Sequence, residues 1–504
     1  MHSNVLAYLE DYATRLFPDS TFVSSNATRL SFAQVKRSAE ELASLLCRLV
    51  FDQRRPIAVL LPRGPEVIIA DIAILMTGTC YSNLDTASPA ARLKTIVSIL
   101  HPAVIIVSRE TLGLARLICP AEIKVVVVED ILAENPTVDL MAIAKRKHSS
   151  REIDPVCIIN TSGSTGTPKC VVMSHRNVIS FIEWVTGAFP FGQETFGSLS
   201  PFHFDIYTLE LFVALKTGSC ISIIPDGLAA FPRRIIEHLQ RESVSFIFWV
   251  PSIMVVIANQ DLLRDVNLEK LRQVFFAGEV FPTKHFNYWR RHSQAVFVNL
   301  YGPIEITVDC TFFVVDRDIA DTEPIPIGSE CGNAEILILG DSGRPVGAGQ
   351  TGEIYVRGPG VALGYWNSPE KTALAFMQNP LHDEYRDIVY KTGDLAYRNG
   401  NNEIVFVGRK DFQIKHHGYR IELGEIEHAA MSVAGIREAC VTYNSNERLI
   451  VLHYTSDVDL SDRYLRENLL RSVPKYMLPS VFRRLESMPL NANGKIDRLS
   501  LASS

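Results

Sequence analysis

Residues 161–169 read Thr161-Ser162-Gly163-Ser164-Thr165-Gly166-Thr167-Pro168-Lys169 and follow directly on an apolar run that ends at Asn160. Two glycines let the backbone turn tightly and present N–H groups, the hydroxyls add donors and Lys169 adds positive charge, so the loop suits a polyphosphate. It is not the common P-loop, because Gly166 is followed by Thr167, Pro168 and Lys169 rather than by Lys-Ser or Lys-Thr. A Ser/Gly linker is the bland alternative, but linkers rarely end in Pro-Lys between two apolar runs.

Other chemistry-bearing residues are scattered. Asp205 stands among Phe202, Phe204 and Ile206, and an acid buried there needs a cation or hydrogen-bond donors. Capping the helix that follows is the other use open to it. Tyr301 and Glu305 come just past a strand end, where ligands gather in open α/β sheets, although Gly302 and Pro303 would make a turn there in any case. Asp394 follows Thr392 and Gly393 in an expected turn, free to cap a helix or accept turn hydrogen bonds. Arg409, Asp411 and Lys415 are by default solvated surface charges. So is Lys495, in an Asn493-Gly494-Lys495 turn nine residues from the end.

The elements that must position these groups read as strands alternating with helices. Short apolar, β-branched runs occur at 56–61, 103–107, 123–128, 156–159, 220–224, 245–250, 274–276 and 296–299, with helical stretches at 65–76 and 233–240. This alternation predicts largely parallel sheets with helices on their faces. After about residue 325 the texture changes to strands joined by tight turns, including a hairpin turn at 399–402. From about Asp411 helices at 424–433 and 464–473 mix with strands at 439–443 and 449–454. The expected fold is therefore α/β: a large N-terminal domain (1–410) of parallel-rich sheets with flanking helices plus a β-rich subdomain, and a small α+β C-terminal domain (411–504).

With 504 residues, more than one domain is expected, and 47% hydrophobic with 21% charged residues is ordinary globular composition. A net charge of -6 argues against a general nucleic-acid binder. The nine cysteines form no CxxC pair or His/Cys ligand spacing, which predicts neither zinc site nor disulfide framework and fits a reducing cytoplasm. The N-terminus shows no secretory signal and no apolar stretch is long enough for a bilayer, so no membrane partner is expected.

In order along the chain stand the Ser/Thr/Gly loop, Tyr81-Ser82-Asn83-Leu84-Asp85, Phe204-Asp205, Asn299-Leu300-Tyr301-Gly302-Pro303-Ile304-Glu305 and Gly352-Glu353-Ile354. Tyr390-Lys391-Thr392-Gly393-Asp394-Leu395, Gly408-Arg409-Lys410-Asp411, the stretch Gly418-Tyr419-Arg420-Ile421-Glu422-Leu423-Gly424-Glu425-Ile426-Glu427 and Asn493-Gly494-Lys495-Ile496-Asp497-Arg498 complete the set. Together these motifs resemble the adenylate-forming superfamily, specifically the amino-acid adenylation enzymes of nonribosomal peptide synthesis and the D-alanine–carrier protein ligases. The resemblance implies ATP and Mg²⁺ as cofactors. It implies that Thr161, Ser162, Gly163, Ser164, Thr165, Gly166 and Lys169 hold phosphates, with Gly278, Asn299, Tyr301, Gly302, Asp394, Arg409 and Lys415 completing the nucleotide site. Tyr301 would stack on adenine, Asp394 accept from the ribose hydroxyls, Glu305 hold Mg²⁺, and Lys495 reach the reacting carboxylate and α-phosphate. Asp411 would be a hinge that lets the small domain present Lys495 and then swing to admit a carrier's phosphopantetheine thiol. A mobile cation suits a transition state that brings anions together.

The same resemblance makes Asp205 the partner of a substrate α-ammonium, favouring an amino acid over an acyl or aryl acid. It carries Ile206, Leu209, Phe248, Phe275, Ala277, Leu300, Val308 and Asp309 onto the pocket lining. That lining is mostly apolar with two bulky Phe, which predicts a small neutral substrate of the serine, alanine, proline or 2-aminobutyrate class. Asp309 would accept from a substrate hydroxyl or second nitrogen, or face the protein instead. Three residues depart from the pattern: Ile304 for the usual Thr, Cys170 for Gly after Pro-Lys, and Tyr207 for a frequent Ser. The chain ends six residues after Arg498, so a stand-alone enzyme with a separate carrier protein is expected. An acyl- or aryl-CoA ligase, or a catalytically silent nucleotide-binding protein, are the competing expectations.

Overall fold

The computed structural model describes residues 3–26, 28–50, 52–134, 136–163, 166–228, 230–444, 447–490 and 496–503. Among these, two large sheets carry the first three hundred or so residues. One has seven strands in the order Gly364–Tyr365, Lys169–Ser174, Pro155–Thr161, Tyr81–Asn83, Ile57–Leu60, Val104–Val107 and Lys124–Val127. The other has nine, in the order Ser329–Glu330, Thr311–Val314, Val296–Tyr301, Gln273–Phe276, Phe246–Trp249, Thr195–Ser198, Cys220–Ile223, Thr21–Ser25 and Thr28–Ser31. Their interiors are parallel, and antiparallel pairs occur only toward the edges.

Side-chain alternation explains the layering. Along Phe246–Trp249, Phe246 and Phe248 enter the central core, whereas Ile247 and Trp249 enter a second core with the helices Pro232–Arg241, Pro251–Asn259 and Thr283–His292. The central core takes the inward faces of both sheets together with the helices Phe32–Leu49, Pro65–Met76, His175–Ala188 and Ile206–Thr217, which are packed between them. A helix so placed is apolar all round: every residue of Pro65–Met76 except Glu66 is buried.

Downstream lies an antiparallel sheet, Glu335–Leu339, Gly352–Arg357, Ile388–Arg398 and Phe376–Gln378, with Ile404–Arg409 added on Ile388–Arg398. A two-stranded hairpin (Gln413–His416, Tyr419–Glu422) then leads into the helix Leu423–Met431, the strands Ile436–Asn444, Leu449–Ser456 and Val481–Leu485, and the helix Asp462–Leu469. No helix among the described residues is long and apolar enough to cross a membrane.

Three local expectations differ. The apolar run 123–128 is strand only over Lys124–Val127, because Val127 pairs with Val107, the last residue of its neighbour; Val128 begins a helix with Glu129 and Asp130 in its first turn. The helix expected at 464–473 is Asp462–Leu469, started by the Ser461 side chain accepting from the Tyr464 N–H. Asp394 sits in no separate turn and caps no helix: Thr392, Gly393 and Asp394 lie within the strand Ile388–Arg398, beside a register irregularity and with Gly393 at φ 75°.

Candidate functional site

The strand Pro155–Thr161 returns as Lys169–Ser174 with Thr161 opposite Lys169, so the Ser/Thr/Gly loop closes between two paired strands. A Cβ at Gly163 would lie 2.0 Å from the Thr167 carbonyl oxygen, so only glycine fits this close approach. Thr161 and Ser162 are buried, and the Ser162 hydroxyl donates to the Arg420 carbonyl at 2.6 Å. Ser164, Thr165 and Lys495 lie outside the described residues. Cys170 points away from the loop into an apolar core, where burial pushes its thiol up to about 12. Cysteine in place of glycine therefore leaves the loop's polar face unaltered.

Glu305 stands in the short 3₁₀ turn Ile304–Ile306 after the strand Val296–Tyr301. Its fully buried carboxylate accepts from the Tyr365 hydroxyl at 2.8 Å and from Arg420 at 2.7 Å. Burial alone would raise this carboxyl, but the charges of Arg420 and Lys169 outweigh it and hold the group at about 2. Lys169 in turn lies 3.3 Å from Glu422. Arg420 and Glu422 are two apart on one strand and so share a face.

Beside this, the Asp394 carboxylate accepts from the Tyr301 hydroxyl and from Arg409, each at 2.6 Å, and Arg409 also reaches Asp411 at 2.7 Å. These residues line a cavity of about 400 Å³ together with Gly278, Asn299, Leu300 and Lys415. Lys415 forms no side-chain ion pair among the described residues; burial lowers its pKa, against the opposing pull of Asp394.

The residues proposed for the amino-acid end fall in or beside one apolar core. Phe248 and Phe275 are register partners on adjacent parallel strands, their rings 6.1 Å apart, and with Ile206, Leu209, Ala277, Leu300 and Val308 they fall in the central core. Asp205 is the first residue of the turn into helix Ile206–Thr217, yet its side chain makes no capping bond. The carboxylate lines a cleft with Lys415, Gly302 and Ile304, and no side chain partners it among the described residues. Burial pushes it up to about 7, with Lys415 pulling the other way. Asp309 is buried, its Oδ2 has no hydrogen-bond partner among the described residues, and burial followed by the Asp205 charge pushes its carboxyl well up. Thr307 and Val308 immediately before it have φ of 63° and 66°, a conformation that is rare for β-branched residues and concentrates at functional sites. Gly302 permits this bend, since a Cβ there would come within 2.3 Å of the Val308 carbonyl oxygen.

A phosphate-suited loop, a buried carboxylate beside its lysine and an acid at the edge of the apolar core thus meet around one cleft. The family model described as AMP-binding enzyme matches residues 10–366. The chain belongs to the AMP-binding enzyme family. Zwittermicin A synthase ZmaJ from Bacillus cereus is 31% identical over 495 residues, 96% of this chain and 92% of that one. An L-proline–[L-prolyl-carrier protein] ligase from Streptomyces coelicolor is 32% identical over 505 residues, 94% and 92% of the two chains. The Vibrio cholerae adenylation domain AlmE, solved with glycyl-adenosine-5'-phosphate, superposes with a TM-score of 0.85 at 20% identity, covering 100% of this chain and 98% of that one. That likeness establishes the shared fold.

This AMP-binding enzyme has a second cavity, of about 440 Å³, lined by Arg63, Asp85, His203, Trp249 and Gly418 among others; Phe204, Gly418 and Tyr419 line both it and the Asp205 cleft. The hairpin that separates them is held by the Gly418 N–H donating to Glu279 at 2.6 Å, and the helix Leu423–Met431 that follows it is tied by an ion pair of Arg92 with Glu425. Arg420, Glu422, Tyr365 and Glu279 received no role in the sequence reading. The alternation of Arg420 and Glu422 was the available signal, but their partners are more than a hundred residues away.

Proposed function

We propose that this protein joins a small neutral amino acid to AMP at the expense of ATP and then passes the aminoacyl group to the phosphopantetheine thiol of a separate carrier protein. The observation that carries the proposal is Asp205, a carboxylate with no side-chain partner among the described residues, which lines the cleft with Asp394, Arg409 and Lys415 at the edge of the apolar core and so is open to an α-ammonium. The ligase relative, whose name specifies a prolyl carrier protein, supports the same reading.

In the first step a substrate carboxylate oxygen bonds to the α-phosphorus as the bond to pyrophosphate breaks. The Ser/Thr/Gly loop and Lys169 hold the phosphates, Asp394 and Arg409 the ribose, and Lys495 the oxygens that crowd together. Glu305 is an ionised hard-oxygen ligand beside the loop lysine, and one carboxylate together with substrate phosphates is the usual manner of binding Mg²⁺. When bound, the ion neutralises phosphate charge. In the second step a thiolate attacks the acyl carbon, and AMP leaves with the bonding electron pair. We place the hinge between the two arrangements at Asp411 and the pantetheine arm in the 440 Å³ cavity. Arg63, the one guanidinium on that cavity's described lining, is tied to Asp226 at 2.7 Å, which favours a carrier-borne arm over coenzyme A with its extra phosphate. Within the substrate class, the Oδ2 of Asp309, buried and without a hydrogen-bond partner among the described residues, favours a β-hydroxyl, hence serine.

The test is exchange of labelled pyrophosphate into ATP across D- and L-amino acids and simple carboxylic acids, with Lys495→Ala as control. Exchange driven by one small amino acid and lost in the control is expected. Exchange with aliphatic or aryl acids but no amino acid would move the protein to acyl activation.

A further inference from the structure

The helix Pro65–Met76 is packed between the two sheets and carries one acid in its interior, Asp71, which is 0% exposed. An acid in such surroundings is costly unless donors meet it. Two do, both at Oδ2: the Tyr207 hydroxyl at 2.9 Å and the Asn83 amide at 3.0 Å. The same Asn83 nitrogen also donates to the Phe202 carbonyl at 3.1 Å. The rings of Phe202 and Tyr207 are stacked, with centroids 4.3 Å apart. Phe202 stands three residues before Asp205 and Tyr207 two residues after it. Asp71 is therefore the shared acceptor of two donors that grip the chain on both sides of Asp205, whose own carboxylate has no side-chain partner among the described residues to orient it.

We propose that Asp71 is a positioning residue that, through Tyr207 and Asn83, fixes Asp205 for the substrate ammonium. The inference rests on the reading of Asp205 given above. A charge-assisted hydrogen bond between carboxylate and ammonium is strongly dependent on placement, and small displacements of a binding group are expensive. The tyrosine at 207 has the reach that the serine usual at this position lacks: its ring stacks on Phe202 while its hydroxyl extends to the helix behind. An apolar residue at 71 would leave two buried donors unpaired.

Tyr207→Phe keeps the ring stack and removes only the hydroxyl. In pyrophosphate exchange it should raise KM for the preferred amino acid about 5–10-fold, the effect of one lost buried hydrogen bond. KM for ATP should stay within about twofold, as should exchange with the matching carboxylic acid that lacks the amino group. In an Asp205→Asn background Tyr207→Phe should add no further change. Asn83→Ala, which frees both Asp71 and Phe202, should show the same pattern and serves if Tyr207→Phe does not fold. Equal losses for the amino acid, ATP and the des-amino acid, or full additivity with Asp205→Asn, would overturn the proposal in favour of a purely structural hydrogen bond. If Asp205→Asn alone leaves amino-acid KM unchanged, the reading of Asp205 fails. If Asp205→Asn raises it and neither Tyr207→Phe nor Asn83→Ala does, only the positioning role fails.

Discussion

The guanidinium of Arg420 lies 2.7 Å from the buried carboxylate of Glu305, although the two residues stand on opposite sides of Asp411 in the chain. Two residues on, Glu422 meets the loop lysine Lys169. The hairpin thus offers a cation to the carboxylate proposed for Mg²⁺ and an anion to the lysine proposed for phosphate. Magnesium with pyrophosphate and the docked hairpin cannot occupy these groups together.

Removing Arg420 should therefore divide the two half-reactions. Breaking a buried pair costs about 3–5 kcal/mol, here drawn from the docked arrangement. Arg420→Ala should lower carrier loading at least about tenfold while pyrophosphate exchange persists. Added magnesium pyrophosphate should inhibit loading from preformed aminoacyl-AMP in the parent protein. Parallel losses in exchange and loading would refute this division of labour.

Burial pushes the Asp205 carboxyl up to about 7, and only its ionised form pairs with an ammonium. Acidification below 7 protonates it, so kcat/KM for the amino acid should fall about tenfold per pH unit there and level off above. The limb should be absent in Asp205→Asn. A profile identical in parent and variant would assign the ionisation elsewhere.

Gly302→Ala would drive a Cβ to 2.3 Å from the Val308 carbonyl oxygen and 2.5 Å from the Asp309 Cα, both backbone atoms. Such overpacking costs about 1–3 kcal/mol, measurable by urea denaturation. Because the loop carries both Glu305 and Asp309, exchange should drop by about two orders of magnitude. Wild-type stability and rate in the variant would contradict the close approach.

Asp309→Leu removes a buried carboxyl oxygen that has no hydrogen-bond partner among the described residues. Preference for serine over alanine should fall by about 10–100-fold, since a site built to bond a hydroxyl rejects the analogue lacking it. An unchanged serine-to-alanine ratio in competitive exchange would remove Asp309 from substrate recognition.

Much of the fold was legible because its strands are short buried runs, as at 246–249, and because a helix such as Pro65–Met76 announces its start with Pro. Phe248 and Phe275 lie on strands that the apolar runs at 245–250 and 274–276 had marked. Asp394 was misread as a turn residue because Thr392, Gly393 and Asp394 look the same whether the strand stops or bulges. The ties of Glu305 to Arg420 and of Asp71 to Tyr207 could not be read at all. They span 115 and 136 positions and depend on how helices and sheets stack, which no local pattern records.

Phe248, Phe275 and Leu300 project from three neighbouring parallel strands, whereas Glu305, Lys169, Asp394 and Arg409 gather at the cleft around their ends. Ladder hydrogen bonds are indifferent to side-chain identity, so the walls proposed for the substrate can be changed one residue at a time without disturbing the sheet. On the proposed reading the groups at the strand ends stay in place while the accepted monomer changes, which makes such a chain a ready source of new activating enzymes.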